Sequence, residues 1–274
     1  LIKTWTSQYN AGLSAYLLED GTMIRAGKLN NTTFSTGGQG GIIERFDWNG
    51  NIIWSYEISS STECQHHDFH VLPNGNILVL VWELKTRAEV LAAGRDSAIT
   101  NTTIWMEKVV ELQPFGTNSA NIVWEWKIWD HLIQDYDSLK PNYGVVRDHP
   151  ELLNLNSETR GNKDWLHCNS VDYNQELDQI IISVHGLNEF WIIDHSTTTA
   201  QAATHTGGTH NKGGDFLYRW GSPNHYNRGT LADTKLWGQH NAQWIRNGLN
   251  DAGKILVFNN GFGNPDSNFS SVDI

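Results

Sequence analysis

A strand–turn–strand unit recurs along this chain, and the recurrence constrains the fold more than any other feature. An apolar strand, a turn containing glycine and a second apolar strand occur at residues 17–27, 72–80 and 245–257. The stretch 164–195, DWLHCNSVDYNQELDQIIISVHGLNEFWIIDH, predicts three strands, at residues 170–173, 179–184 and 189–194. Short apolar strands joined by polar turns are typical of antiparallel meanders.

Outer hairpins of a second type lie between these units. Residues 42–58 alternate apolar and polar side chains around an Asn49-Gly50 turn, which predicts a tight hairpin. Residues 109–128 repeat the design with a longer turn, residues 191–202 are expected to do so again, and LYRWGSP at 217–223 is expected to end that unit.

Four-strand units with a Trp near the outer strand predict an all-β fold, a β-propeller of four-stranded antiparallel blades. We expect about four blades, at residues 1–58, 63–132, 164–223 and from 236 onward. We treat residues 1–274 as one propeller domain, incomplete because closed propellers of this strand style usually have more blades. The chain also begins without Met and ends in what looks like an interrupted strand. Residues 130–162 fit no strand pattern and predict an inter-blade insertion, with a short helix near 129–139.

Charge and hydropathy exclude several classes of partner. The 30 acidic residues outnumber the 19 basic ones, for a net charge of −11, which argues against nucleic acid. No apolar run reaches the roughly 18 residues that a membrane span requires. Sequons at Asn30, Asn31, Asn101 and Asn268 fit a periplasmic or secreted protein. Cys64 and Cys168 are expected as free buried thiols, with a disulfide as the alternative, and the oligomeric state stays open.

Three histidines occupy matching places in the repeat. His67, His167 and His240 each precede by four residues a residue that we expect to open the first strand of a blade. Innermost propeller strands line a central channel, so three imidazoles are predicted to converge there. His66 and His70 flank the first of them, and His70 is expected to point away or to lie lower in the channel.

Other chemistries remain open for this pocket. Three imidazoles suit a metal ion, but no carboxylate recurs at the matching repeat position, so metal is the second interpretation. A serine hydrolase is weaker, because no GxSxG nucleophile elbow occurs.

The chain resembles the bacterial arylsulfate sulfotransferase family. The matching pieces are HHDFHVLPNGNILVL, DWLHCNSVDYNQELDQIIIS with WIID, and GQHNAQW with GKILVFNNG, which together span about residues 63–261. The resemblance implies a six-bladed propeller that uses no cofactor and transfers a sulfuryl group from an aryl sulfate ester to a phenol. It implies His240 as the covalent nucleophile, with His167 and the His67 region acting on donor and acceptor oxygens. Asn169 would donate a hydrogen bond to the sulfuryl oxygens.

One position departs from that family's pattern. Ser183-Val184 is followed by His185, where the family has an arginine. An imidazolium replaces a guanidinium only in part, because it lacks the planar bidentate fork. Arg219, Arg160 or Lys163 are candidates for the missing charge. Either the substrate differs, the working pH is lower or the activity is lost.

Two further classes of function therefore stay in view. A non-catalytic extracellular propeller that acts as a binding or structural module is the main alternative, since a fold does not determine a function. A quinone-dependent dehydrogenase is suggested by the DWNGNIIW pattern at residues 47–54, but it would need a cofactor-stacking Trp and a calcium site.

Overall fold

The computed structural model describes residues 2–100, 102–157, 162–266 and 269–274. Arg160 and the sequon residues Asn101 and Asn268 lie outside them. The four main sheets are all antiparallel, and three of them have four strands, which confirms the all-β fold built from propeller-type blades. The chain divides into two compact units, Leu1–Glu83 with Lys108–Glu125 and Leu84–Glu107 with Trp126–Ile274. One domain over residues 1–274 stays a prediction.

The first sheet is a simple meander. Its strands are β1 (Asn10–Leu17), β2 (Met23–Lys28), β3 (Gly41–Phe46) and β4 (Ile52–Glu57), paired in chain order. The predicted hairpin of residues 42–58 is confirmed as β3 and β4. Asp47 closes its turn by accepting hydrogen bonds from the backbone of residues 50 and 51.

The second sheet repeats this order with longer strands. It contains β5 (Glu63–Val71), β6 (Ile77–Lys85), β7 (Ile104–Phe115) and β8 (Ser119–Lys127), and the short helix α1 (Arg87–Ala92) separates β6 from β7. The hydrophobic core of the first unit joins both sheets through side chains that alternate toward one face. Its most buried members are Ile24, Ala26, Ile43, Phe69, Ile77, Val79, Val81, Val110 and Leu112.

The predicted insertion has little regular structure. A single 3-10 turn at Ile128–Asp130 stands where we expected a short helix near 129–139. The chain then forms β9 (Leu132–Ile133), which pairs in parallel with β10 (Leu153–Asn154). The Gln134 side chain accepts from the backbone of residues 136 and 137 and donates to the carbonyls of residues 137 and 141. These bonds take up backbone groups that a helix would have used.

The third sheet confirms the predicted meander. Its strands are β11 (Cys168–Asn174), β12 (Gln179–Val184), β13 (Glu189–Asp194) and β14 (Tyr218–Trp220). The expected outer hairpin at residues 191–202 is wrong in its second half. Thr198 forms a capping box with Gln201 and starts the helix α2 (Thr199–Ala202), so the outer strand comes from the LYRW segment instead.

The fourth sheet has three strands, β15 (His240–Trp244), β16 (Ile255–Asn259) and β17 (Ser271–Asp273). It packs on the third sheet within the second unit, chiefly through β11 and β15. The buried members of this core are Ile181, Phe190, Ile192, Leu236, Ala242, Trp244 and Val257. Burial of each of the larger aliphatic and aromatic side chains contributes about 1.5–3 kcal/mol.

Two further expectations concern membrane-spanning segments and the cysteines. Among the described residues, every helix is too short or too polar to cross a membrane. Cys64 and Cys168 are both buried free thiols, as expected, and burial raises the pKa of Cys64 to about 11.

Candidate functional site

The first strands of three sheets begin irregularly. The β5, β11 and β15 strands each have a register shift in their first half. Beside each shift a residue other than glycine adopts the left-handed conformation: His67 (φ 45°), His167 (φ 47°) and Asn241 (φ 54°). Such backbone costs on the order of 1–3 kcal/mol and persists where the surrounding contacts enforce it, often at functional sites.

These positions refine the predicted histidine repeat. His67 lies inside β5 rather than before it, because β5 already begins at Glu63. His167 immediately precedes β11, which begins at Cys168 rather than four residues after His167 as predicted. His240 is the first residue of β15, and its neighbour Asn241 takes the left-handed conformation that His67 and His167 take in their own sheets. The equivalence is therefore offset by one residue in the fourth sheet.

The second unit brings three of the predicted histidines together. The ring centroid of His185 lies 5.3 Å from that of His167 and 5.2 Å from that of His240, with interplanar angles of 66° and 71°. His185 belongs to the 3-10 turn His185–Leu187 that follows β12. The three half-buried rings form one edge-to-face row, which we call the histidine row.

A carboxylate orients His167. The Oδ2 atom of buried Asp164 lies 2.5 Å from Nδ1 of His167. Burial opposes the charged form of His167, but the hydrogen bond and charge of Asp164, with a contribution from Glu107, outweigh it and raise the pKa. Glu107 itself is held by the backbone N–H of Cys168, which donates to its Oε1 at 3.1 Å. His167 is thereby favoured as an imidazolium.

His240 is perturbed in the opposite direction. Burial lowers its pKa below the usual 6.5, and the charge of nearby His167 adds to this, against hydrogen bonds to the Gly238 backbone and to Asn260. Its Nδ1 atom is shielded from solvent, which leaves Nε2 as the candidate reacting nitrogen. Opposite shifts within one row separate an acid from a neutral base or nucleophile.

A close backbone approach seats His185. Gly238 has φ +62°, and a Cβ built on it would lie 3.3 Å from Nε2 of His185 and 3.1 Å from Cβ of Phe262. The Gly238 N–H donates to Asn188 Oδ1 at 2.7 Å, which ties this segment to the turn that carries His185. Glycine is therefore required twice, for its conformation and for its lack of a side chain.

Asn169 connects the beginnings of β11 and β15. Its Nδ2 donates to the carbonyl of Gln239 at 2.8 Å, and Gln239 Nε2 donates to the carbonyl of Glu189 at 2.6 Å. Both side chains are buried. The contact holds the backbone immediately before His240, so Asn169 is at least a positioning residue. Its predicted bond to sulfuryl oxygens stays a prediction.

The first unit holds the remaining predicted histidines. His66 is fully buried and stacks on Trp82 at 4.1 Å, with its Nδ1 3.0 Å from Nδ1 of His67. His67 donates its backbone N–H to the carbonyl of Gly38 at 2.7 Å. His70 lies half-buried in β5, opposite Leu78. His66 is therefore a packing residue that orients His67.

The candidate cations for the missing arginine have other surroundings. Arg219 is buried and donates Nε and Nη2 to Glu189 Oε2 at 2.9 and 2.6 Å. Lys163 has an exposed side chain, and Arg160 lies outside the described residues. Among these three, Arg219 is committed to a buried ion pair.

Several residues of the site were not singled out from the sequence. Asp164 stands three residues before His167 in the quoted DW-H motif, so the spacing was a usable signal. Glu107, Gln239 and Asn260 come from distant segments, and only the fold assembles them.

Blade-type antiparallel sheets together with a row of closely spaced histidines define a propeller-type protein. The sequence pattern of the Arylsulfotransferase (ASST) family matches residues 15–272, which is most of the chain. The chain belongs to the arylsulfotransferase family. No curated protein matches it.

Solved structures with low sequence identity are similar in part. A protein of unknown function from Bacteroides caccae is 9% identical, with a TM-score of 0.43 over 98% of this chain and 62% of its own. Hydrazine synthase from Kuenenia stuttgartiensis is 11% identical, with a TM-score of 0.42 over 93% and 56%. The chain thus spans about three fifths of these proteins, and neither similarity bears on its function.

Proposed function

We propose that this protein transfers a sulfuryl group from an aryl sulfate ester to a phenol, through a sulfohistidine on His240. The observation that carries the proposal is the opposite perturbation of His167 and His240 within one histidine row. Membership of the arylsulfotransferase family supports the class of reaction.

His240 is the proposed nucleophile. Its lowered pKa keeps the imidazole neutral near pH 7, and we assign Nε2 as the reacting nitrogen because Nδ1 is shielded from solvent. Nε2 attacks the sulfur and forms an N–S bond, while the bond from sulfur to the aryl oxygen breaks. The electron pair of that bond leaves with the aryl oxygen as a phenolate.

His167 is the proposed acid and base. In the first half-reaction the imidazolium, favoured by Asp164, gives a proton to the departing aryl oxygen. In the second it takes the proton of the acceptor phenol, whose oxygen attacks the sulfur. The N–S bond then breaks and its electron pair returns to His240, so the enzyme is regenerated.

The other predicted residues support the sulfuryl group. His185 lies between the two reacting imidazoles, at the position where the family has an arginine. We assign it to donating a hydrogen bond to the non-bridging oxygens of the sulfuryl group. We assign Asn169 to holding His240 and to donating its second N–H to substrate. For His67, with His66 and His70 as its neighbours, the resemblance alone supports a role on donor or acceptor oxygens.

A non-catalytic binding module remains the second candidate. The histidine in place of the family arginine favours it, since a weakened charge at this point would lower catalysis before it lowered binding. For either function we propose that the protein is exported to the periplasm or the medium, because of its sequons and its resemblance to the bacterial arylsulfate sulfotransferases.

Turnover with purified full-length protein tests the proposal. We expect release of phenol from an aryl sulfate ester to depend on an added acceptor phenol, and the His240→Ala variant to lose at least about 10³-fold in rate. The matched control is His195→Ala, which removes a histidine paired with Asp178 outside the histidine row. Absence of turnover from pH 5 to 9 in folded protein would favour the binding module.

A further inference from the structure

A second cluster of ligand-type side chains lies apart from the histidine row. His131, His205 and Asp215 each present one nitrogen or oxygen, and these atoms all lie within 4.8 Å of one another. His131 follows the 3-10 turn at Ile128–Asp130, and the other two flank the glycine-rich loop of residues 207–214. Neither the resemblance nor the proposed reaction gives these residues a role.

The hydrogen bonds of His131 define its tautomer. Its ring is fully buried and stacks on Trp126, with the centroids 6.0 Å apart. Nε2 lies 2.8 Å from the carbonyl of Ala202, which can only accept, so Nε2 carries the hydrogen. In a neutral ring Nδ1 then has a lone pair, and it faces Asp215 Oδ1 at 2.8 Å. A lone pair facing a carboxylate requires a proton or another cation between them.

His205 presents a second nitrogen to the same oxygen. Its Nδ1 lies 2.7 Å from Asp215 Oδ1, and its ring is perpendicular to that of His131 at a centroid distance of 5.8 Å. The His205 side chain is 59% exposed, whereas Asp215 is buried. The site therefore opens to solvent on one side only.

The glycine-rich loop is shaped to bring Asp215 here. A Cβ on Gly214 would lie 2.5 Å from Nε2 of His131, so the backbone approaches that ring as only glycine allows. The N–H of Gly214 donates to the carbonyl of Thr204, and its carbonyl accepts from Trp126 Nε1 at 2.8 Å. These two hydrogen bonds fix the backbone at Gly214, next to Asp215.

We propose that His131, His205 and Asp215 bind one divalent transition-metal ion, of which zinc fits best. Two imidazoles and a carboxylate suit zinc better than calcium or magnesium, which prefer oxygen ligands. Ligand atoms around tetrahedral zinc, with bonds of about 2.0–2.1 Å, stand about 3.4 Å apart. The two N···O contacts must therefore lengthen by about 0.6–0.7 Å. The exposed His205 can move to lengthen its own contact, whereas the contact of His131 requires a rotation of the Asp215 carboxylate. The second ring nitrogen of a metal-binding histidine usually donates a hydrogen bond to a backbone carbonyl or a carboxylate, as Nε2 of His131 does to the carbonyl of Ala202.

Zinc titration of the full-length protein after removal of metal by a chelator tests this site. We expect one saturable zinc ion per chain and a rise in unfolding temperature on binding. The His205→Ala variant should bind at least about 10-fold more weakly. His149→Ala is the matched control, because that exposed ring also contacts a carboxylate, Glu151, at 2.9 Å but has no third ligand among the described residues.

Two further arms locate the ion. Cobalt in place of zinc should give the intense visible absorption of a tetrahedral site in wild type and not in His205→Ala. Zinc binding should persist in His240→Ala, which removes a member of the histidine row. Failure of wild type to bind zinc, unchanged binding by His205→Ala, or loss of binding in His240→Ala would each overturn the proposal. None of these readouts depends on sulfuryl transfer.

Discussion

The side chains next to each imidazole, rather than the imidazoles themselves, distinguish His167 from His240. Asp164 raises the pKa of His167, and burial lowers the pKa of His240. The proposed reaction needs His167 protonated and His240 neutral. The rate should therefore fall on the alkaline side above pH 6.5, as His167 loses its proton, and on the acidic side below pH 6.5, as His240 gains one.

The Asp164→Asn variant tests the origin of the alkaline limb. Without the carboxylate the pKa of His167 falls, so the alkaline limb of kcat/KM should move to lower pH, while the acidic limb should hardly move. We also expect kcat to drop by about 10²-fold, because the acid is less often protonated and less well oriented. Asp178→Asn, which breaks the same kind of pair at His195, should leave the profile unchanged. An unmoved alkaline limb would mean that another group titrates there.

The raised pKa of His167 also makes the stability of the folded protein depend on pH. The raised pKa of His167 stabilises the folded protein fully below pH 6.5, and this contribution is lost as pH rises through the folded-state pKa. The difference in unfolding free energy between wild type and Asp164→Asn should therefore shrink with rising pH, as denaturant titrations would show.

Substitution of His185 tests the departure from the family pattern. A guanidinium stays charged at every working pH and binds two oxygens at once. His185→Arg should lower the KM for the sulfate ester about 5–10-fold, as one added charge-assisted contact would. His185→Gln, neutral and of similar size, should raise it. Equal KM values for the two variants would remove His185 from the sulfuryl-binding site.

Among the elements, strands were predictable and their irregularities were not. The alternation of apolar residues located the meander of residues 168–194 because side-chain period and burial act locally. The helix α2 was missed because Thr198 and Gln201 form a local cap inside an apparently strand-like stretch. The left-handed His67 and His167 were equally invisible, since tertiary contacts and not side-chain preference enforce that backbone.

Gly238→Ala tests the strand beginnings. Any alanine there meets a left-handed backbone, at a cost of about 1–2 kcal/mol, and also crowds His185 and Phe262. Gly248→Ala is the control, because its φ of +86° carries the same penalty with no atom within 4 Å of the new Cβ. Thermal unfolding should show a loss of stability in both variants, but only Gly238→Ala should lose turnover. Equal activity of the two variants would show that His185 tolerates displacement.

The charge of the whole molecule opposes its proposed substrate. A protein with a net charge of −11 repels an aryl sulfate anion, and salt screens that repulsion over distances beyond about 8–10 Å. Raising ionic strength from about 0.01 to about 0.15 M should lower the KM for the sulfate ester, by about twofold, and leave the KM for a neutral phenol unchanged. A KM for the ester that rises with salt would show that local cations dominate.

At this scale the sequence predicted the blades and one part of the site. The sequence repeat identified His167 and His240 as candidate site residues, because both lie at the beginnings of strands with regular spacing. The role of Arg219 could not be assigned from the sequence, since its ion pair with Glu189 depends on the antiparallel pairing of β13 with β14. The same holds for the cluster of His131, His205 and Asp215, whose members lie far apart in the chain.

The proposed reaction requires a covalent sulfuryl group on His240. Rapid quenching during turnover of an aryl sulfate ester, followed by digestion and tandem mass spectrometry, would locate the adduct. We predict one sulfuryl group on the peptide that contains His240, absent from His240→Ala and removed by an acceptor phenol. A sulfuryl group on another residue, or full turnover with no adduct on the enzyme, would rule out His240 as the covalent nucleophile.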